Sequence, residues 1–271
     1  MKLLAIVLVV LVASPALAQS QPTIKGDAAA WQEVGTAWQR LGALRSYRMR
    51  VVPPPDVQGA DKMRMVMEFV NPDRNRMVMD MEDMMTMELV RVGQEPARRR
   101  ITLKGQVAQV ASQNPAQAPS LVNRILGGGI FGLISAFMDP IGFVTNMVIG
   151  AVTQAITQRI MSQFVPAGAD IRPGVWQCQR PQADASSSAS TPEVTVARAG
   201  EMTIDGARTR GYDLTYVDQR QNTNTKMRIY VLADRQVPRR IESFDANGKV
   251  LGGMDYYDFD APITIDLPPC E

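Results

Sequence analysis

The chain is predicted to be an α+β protein, an antiparallel sheet that follows one helix and is interrupted in mid-chain by a helical insert. Three observations predict it. A single apolar stripe of helical spacing lies near the start. Most of the remaining chain alternates apolar and polar residues, the period of half-buried strands. Between residues 121 and 165 the period changes and charge almost disappears.

The opening residues precede the folded part. Lys2 is followed by the apolar run Leu3 to Val12 and then by Ala13-Ser14-Pro15-Ala16-Leu17-Ala18. These are the n-region, h-region and small-x-small site of a signal peptide. Residues 1–18 are therefore expected to be removed after Ala18, leaving Gln19 as the first residue. The apolar run is too short to span a bilayer, which takes about 20 apolar residues. No Cys stands at the cleavage site to take a lipid anchor. The expected location is the periplasm, with residues 19–271 as a single domain.

Residues 19–26 read as a loose leader. Asp27 caps a helix to about Leu44, with Trp31, Val34, Trp38 and Leu41 on one stripe. Ser46 to Val52 alternates as a strand and ends at Pro53-Pro54-Pro55. Lys62 to Val70 and Arg76 to Asp83 are strands joined by Asn71-Pro72-Asp73-Arg74-Asn75, which is turn chemistry, so they pair as a hairpin. Thr86 to Val92 adds a third strand, and Ile101 to Val110 a short further one. Ala111 to Pro119 reads as a loop.

The insert, Leu121 to Val165, is broken by Gly127-Gly128-Gly129 and Asp139-Pro140 into short apolar helices. Neither half is a convincing span: the first is too short and the second carries Thr145, Asn146, Thr153 and Gln154. Residues 183–192, rich in Ser and Ala, form a flexible loop. Strands follow at Glu193–Arg198, Arg210–Val217, Lys226–Leu232, Arg239–Phe244 and Val250–Phe259. Ile263 to Pro269 closes the chain as an edge strand stopped by proline.

Composition removes several classes of function. The net charge is +2, which argues for no nucleic-acid partner. There is no histidine, so Ser-His-Asp and Cys-His catalysis and every His-ligated metal site are excluded. No GxSxG or P-loop is present. The chain is read as a non-enzyme, with no catalytic residue, cofactor or metal assigned. The two cysteines, Cys178 and Cys270, form one disulfide in an oxidising compartment.

Nine of the 17 methionines lie between Met63 and Met87. Met63, Met65, Met67 and Phe69 share one face of a strand, and Met77, Met79 and Met81 share one face of the next. Three readings stand. They are ordinary core positions; they line a cavity for a flexible apolar ligand, since methionine is unbranched and polarizable; or they bind Cu(I) through thioether sulfur. For copper, Met79 and Met81 share a face, but the turn after them is expected to spread Met84, Met85 and Met87 away. Asp80, Glu82 and Asp83 read as solvated carboxylates, Arg98-Arg99-Arg100 as an exposed turn, and Arg239 and Arg240 as solvent-facing.

The order of elements and several stretches carry a resemblance. They are LGALRSYRMRV and MEFVNPDRNRMVMD early in the chain, and GYDLTYV, MRIYVLADRQVPRRIESFDANGKVLGGMDYYDF and APITIDLPP late in it. The sequence resembles the LolA-like superfamily of periplasmic lipoprotein carriers and the LppX/LprG-type lipid-binding proteins, over residues 27–110 and 193–269. The resemblance implies an incomplete, strongly curved β-barrel whose concave face is covered by helices, with acyl chains held between. On this chain the lining would be Met63, Met65, Met67, Phe69, Met77, Met79 and Met81, with Phe131 and Phe137 from the insert. The implied partner is a lipid or acylated ligand, with an envelope or membrane-surface partner as a further candidate.

One departure qualifies it. The lipoprotein carrier has an Arg directly before the Pro that ends the second strand, and that Arg matters for cargo transfer; this chain has Asn71 before Pro72. That difference puts lipoprotein shuttling in doubt and leaves apolar-ligand binding as the expectation. If instead Phe131, Phe137 and Phe143 fill the space, the protein is a structural or envelope-interaction module with a filled core.

Overall fold

A computed structural model describes residues 23–53, 62–114, 172–178, 193–218, 223–245 and 247–271. The signal segment 1–18, the insert 121–165 with Phe131 and Phe137, and the loop 183–192 lie outside the described residues.

Helix α1 (Ala28–Ala43) starts where Asp27 supplies the cap: Oδ1 accepts the Ala30 amide at 2.9 Å, meeting one of the orphan donors of the first turn. The other carboxylate oxygen accepts from Arg198 Nε at 3.1 Å. The buried face is Ala30, Val34, Ala37, Trp38 and Leu41, while Trp31 is only half-buried.

The strands are β1 (Thr23–Gly26), β2 (Ser46–Val52), β3 (Met63–Val70), β4 (Arg74–Met81), β5 (Met85–Val92), β6 (Arg98–Leu103) and β7 (Gln177–Cys178). They continue with β8 (Glu193–Ile204), β9 (Ala207–Asp218), β10 (Thr223–Leu232), β11 (Pro238–Phe244) and β12 (Val250–Tyr257). They form one sheet in the order β1-β8-β9-β10-β11-β12-β2-β3-β4-β5-β6-β7. The sheet is open. Every pairing is antiparallel except β1 with β8. Bulges between Arg198 and Gly200, between Tyr230 and Val231, and between Ser243 and Phe244 bend the long strands. The apolar face of the curved sheet and the buried face of α1 make one core, in which Trp38 meets Tyr256 edge to face at 5.7 Å.

The expected α+β class, the early helix and the β3–β4–β5 meander are present. Four local expectations are corrected. The leader is not loose: Thr23–Gly26 is a parallel edge strand on β8. The strand expected at Ile101 to Val110 is two elements, because Gly105 turns the chain at φ +51°. Helix α2 (Gly105–Gln113) begins there, and a side chain at Gly105 would come within 2.7 Å of the Asp83 carbonyl. Arg98-Arg99-Arg100 is not an exposed turn but the first half of β6.

The fourth correction is the tail. Ile263 to Pro269 is no edge strand, since Pro262, Pro268 and Pro269 remove the donors a ladder needs. Instead residues 258–271 cross one end of the sheet as an irregular strap. The strap begins at β2, where Asp260 N donates to Ser46 O (2.8 Å) and Ser46 Oγ donates to Ala261 O (2.5 Å). Arg74 reaches Ile265 O at 3.1 Å and Arg98 reaches Pro268 O at 3.3 Å. Glu271 N donates to Trp176 O at 2.9 Å, beside the disulfide between Cys178 and Cys270. That disulfide is the one the sequence predicted.

Candidate functional site

Strand pairing sorts the methionines into rows across the concave face. One row is Tyr256, Met49, Met67, Met77, Leu89, Arg99 and Gln177, one residue from each of seven neighbouring strands. The next is Met65, Met79, Met87 and Ile101, and the third is Met63, Met81, Met85 and Leu103. Residues directly opposite in such a ladder hold their Cβ atoms about 5 Å apart, so each row is a continuous strip of side chains. Met65, Met67, Met77, Met79, Met81, Met85 and Met87 are each no more than 3% exposed. Met63 and Phe69 are half-buried, and Phe69 stacks on Tyr47 at 4.6 Å between ring centres.

The structure thus gathers all the described candidates of β3 and β4 onto one face. It also overturns one expectation. The turn at residues 82–84 does not scatter the later methionines. It returns the chain in register, placing Met85 beside Met81 and Met87 beside Met79. Met84, at the turn itself, is exposed. No group of three or more His, Cys, Asp or Glu side chains suited to a metal occurs among the described residues.

Sequence reading missed Arg99. It sits at the β6 end of the first row, on the concave face, and is 3% exposed. Its Nη2 lies 3.5 Å from Gln177 Oε1, and burial pushes its pKa down. The signal was available: in Arg98-Arg99-Arg100-Ile101, Arg99 has the parity of the buried Ile101.

The opposite, convex face is a lattice of charge. One chain of ion pairs runs Asp258–Arg48 (2.7 Å), Arg48–Glu68 (2.9 Å), Glu68–Arg76 (3.7 Å) and Arg76–Glu88 (2.8 Å), then on to Arg100. Arg100 lies over the Trp176 ring at 4.7 Å. Burial works to raise the Glu88 pKa, but hydrogen bonds from Arg76 and Arg100 overcome it and the carboxyl sits below its usual value. A second cluster centres on Asp255, which is fully buried. Arg50 holds it at 2.7 Å and Arg240 at 2.6 Å. Arg240, expected to face solvent, is half-buried in this pair.

Asn71, where the resembled carrier has Arg, closes α1. Its Nδ2 donates to the carbonyls of Gly42 (3.0 Å) and Leu44 (2.7 Å), and its amide donates to Arg45 O (2.9 Å). These bonds satisfy acceptors that a helix end leaves open. They also fasten the β3–β4 turn to the helix.

An open, curved, mostly antiparallel sheet wrapped on one helix, with an apolar concave face, is the class of fold this chain adopts. No family model and no curated protein matches the chain. Among solved structures it is similar to the Mycobacterium tuberculosis lipoprotein LppX, at 11% identity, with 89% of this chain and 100% of that one covered and a TM-score of 0.44. It is similar to LprF from Mycobacterium bovis, at 10% identity, with 91% and 100% covered and a TM-score of 0.43. A putative outer membrane lipoprotein-sorting protein domain from Vibrio parahaemolyticus is similar at 8% identity, with 86% and 95% covered and a TM-score of 0.28. No helix among the described residues is long and apolar enough to cross a membrane.

Proposed function

We propose that the protein is an exported, periplasmic, non-catalytic carrier that binds a lipid or another apolar ligand on its concave face. The observation that carries this reading is the set of methionine rows. Thioether side chains have three rotatable bonds and re-pack around ligands of irregular shape, where a wall of branched residues would hold one shape. The disulfide between Cys178 and Cys270 supports an oxidising compartment, in agreement with the signal-like segment at residues 1–18. Arg99, the one strongly polar group in the first row besides Gln177, gives the apolar strip a charged end.

A second reading draws on the burial of the same residues. A face on which seven methionines are at most 3% exposed is also what a filled core presents, and the protein would then be an envelope-interaction module. Trp38 separates the two. It faces the concave side from α1 and touches Tyr256, the register neighbour of Met49. Bromine-labelled stearate quenches an indole on contact. In a Trp31→Phe background, which leaves Trp38 and Trp176 as the emitters, the carrier reading expects saturable quenching of tryptophan emission that is largely lost on adding Trp38→Phe, since Trp176 lies against Arg100 on the convex side. Absence of quenching, or quenching that Trp38→Phe leaves unchanged, contradicts ligand entry to this face.

A further inference from the structure

The ladder between β2 and β3 ends at the pair Arg50–Val66. Beyond it, Val51 and Val52 stay paired to Met254 and Gly253 of β12, while Met63 and Met65 stay paired to β4. The two strands therefore diverge within the sheet. A cavity of about 530 Å³ fills the divergence, inside the range typical of small-ligand sites. Its lining comes from both faces. Val51, Met63 and Met65 have the parity of the concave rows, and Arg50, Arg64, Arg240 and Asp255 have the parity of the convex face. The cavity thus borders both the methionine strip and the convex charge cluster.

Its outer rim is cationic. Three guanidiniums face one carboxylate, an excess of two positive charges. Asp255 accepts from Nε and Nη2 of Arg50 (3.0 and 2.7 Å) and from Nε and Nη2 of Arg240 (2.6 and 3.2 Å). This fixes two forks side by side on one buried anion. Arg64 is exposed at the same mouth. The Nε–Nη2 edges are taken by Asp255, so an anion would be met by the Nη1 groups of Arg50 and Arg240 and by the exposed Arg64; guanidiniums already held in place lose little freedom on binding.

We propose that the β2–β3 opening is the head-group site for an anionic amphiphile. Its phosphate or carboxylate rests on Arg50, Arg64 and Arg240, and its chain passes Met63 and Met65 onto the concave rows. The proposal rests on the apolar-ligand reading and adds the charge of the ligand and the point where it emerges.

The test is isothermal titration of the protein, below micelle-forming concentration and at low ionic strength, with dodecyl phosphate, dodecyl maltoside and inorganic phosphate. The same three probes are then applied to Arg64→Glu, whose side chain is exposed. The expected result is dodecyl phosphate bound about tenfold more tightly than dodecyl maltoside, a difference of about 1.4 kcal/mol. Arg64→Glu removes that preference and leaves dodecyl maltoside unchanged. Equal affinity for the two detergents, indifferent to Arg64→Glu, overturns the head-group site while the apolar-ligand reading stands. Binding of neither detergent overturns both. Inorganic phosphate bound as tightly as dodecyl phosphate marks a free-anion site and overturns the amphiphile assignment.

Discussion

Replacing Cys178 and Cys270 together by Ala is expected to lower the unfolding free energy by about 4–5 kcal/mol, the chain-entropy value for a loop closed at a sequence separation of 92. The loss is global because of where the bond lies. It fastens the far end of the strap to β7, at the opposite end from the strap's start on β2. Without it, the far part of this irregular, proline-rich segment is left to the bonds from Arg74, Arg98, Arg172 and Glu271. A fall of that size corresponds to a decrease in Tm of roughly 10–15 °C for a chain of this length. Denaturant unfolding of the double variant beside the oxidised protein measures it, and a difference under about 1 kcal/mol would mean the strap is held without the bond.

Asp255→Asn is expected to cost about 3 kcal/mol at neutral pH. A fully buried carboxylate that holds two arginines is replaced by an amide that keeps the shape and loses the charge. Removing one partner of a buried pair commonly costs about 3–5 kcal/mol. Arg50 is half exposed and can turn to water, which places the value at the lower end. The pH dependence follows. Burial works to raise the Asp255 pKa, the hydrogen bonds from Arg240 and Arg50 lower it, and the net position is below the ordinary carboxylate value. A carboxyl depressed in the folded state binds fewer protons there than in the unfolded chain. Its stabilisation is therefore complete above about pH 5 and is lost as pH falls through about 4 and below. Urea midpoints for the two proteins should lie far apart at pH 7 and converge toward pH 3. A gap independent of pH would assign the effect to packing rather than charge.

What was legible in the sequence is what local period encodes. In Met63 to Phe69 and Met77 to Met81 a large apolar side chain recurs at every second position, so their faces follow from parity. Asp27 announced the start of α1, and the cysteine count allowed one pairing. What escaped reading depends on distant partners. Thr23–Gly26 has no strand signature of its own and becomes a strand because β8 offers an unpaired edge. Arg240 looked solvent-facing because nothing local says that β11, β12 and β2 lie side by side and bring it to Asp255. Arg99 was set aside with its charged neighbours, although its parity marked the concave face. The tail has strand-like alternation, but its prolines decide against a ladder. The gathering of Met85 and Met87 beside Met81 and Met79 needed the register of one turn.

The central claim is that the concave methionine face holds an apolar ligand. Native mass spectrometry of the protein, expressed with its signal-like segment and purified without detergent, tests it most directly. The predicted result is a population carrying a discrete added mass that organic extraction identifies as a lipid or other long-chain amphiphile, with the mass of the protein itself corresponding to the chain from Gln19 and one disulfide. Protein that carries no added mass, and takes none up when incubated with lipid vesicles, would contradict the claim and leave a filled core; an added mass of one copper ion in place of lipid would give the methionine rows to the metal.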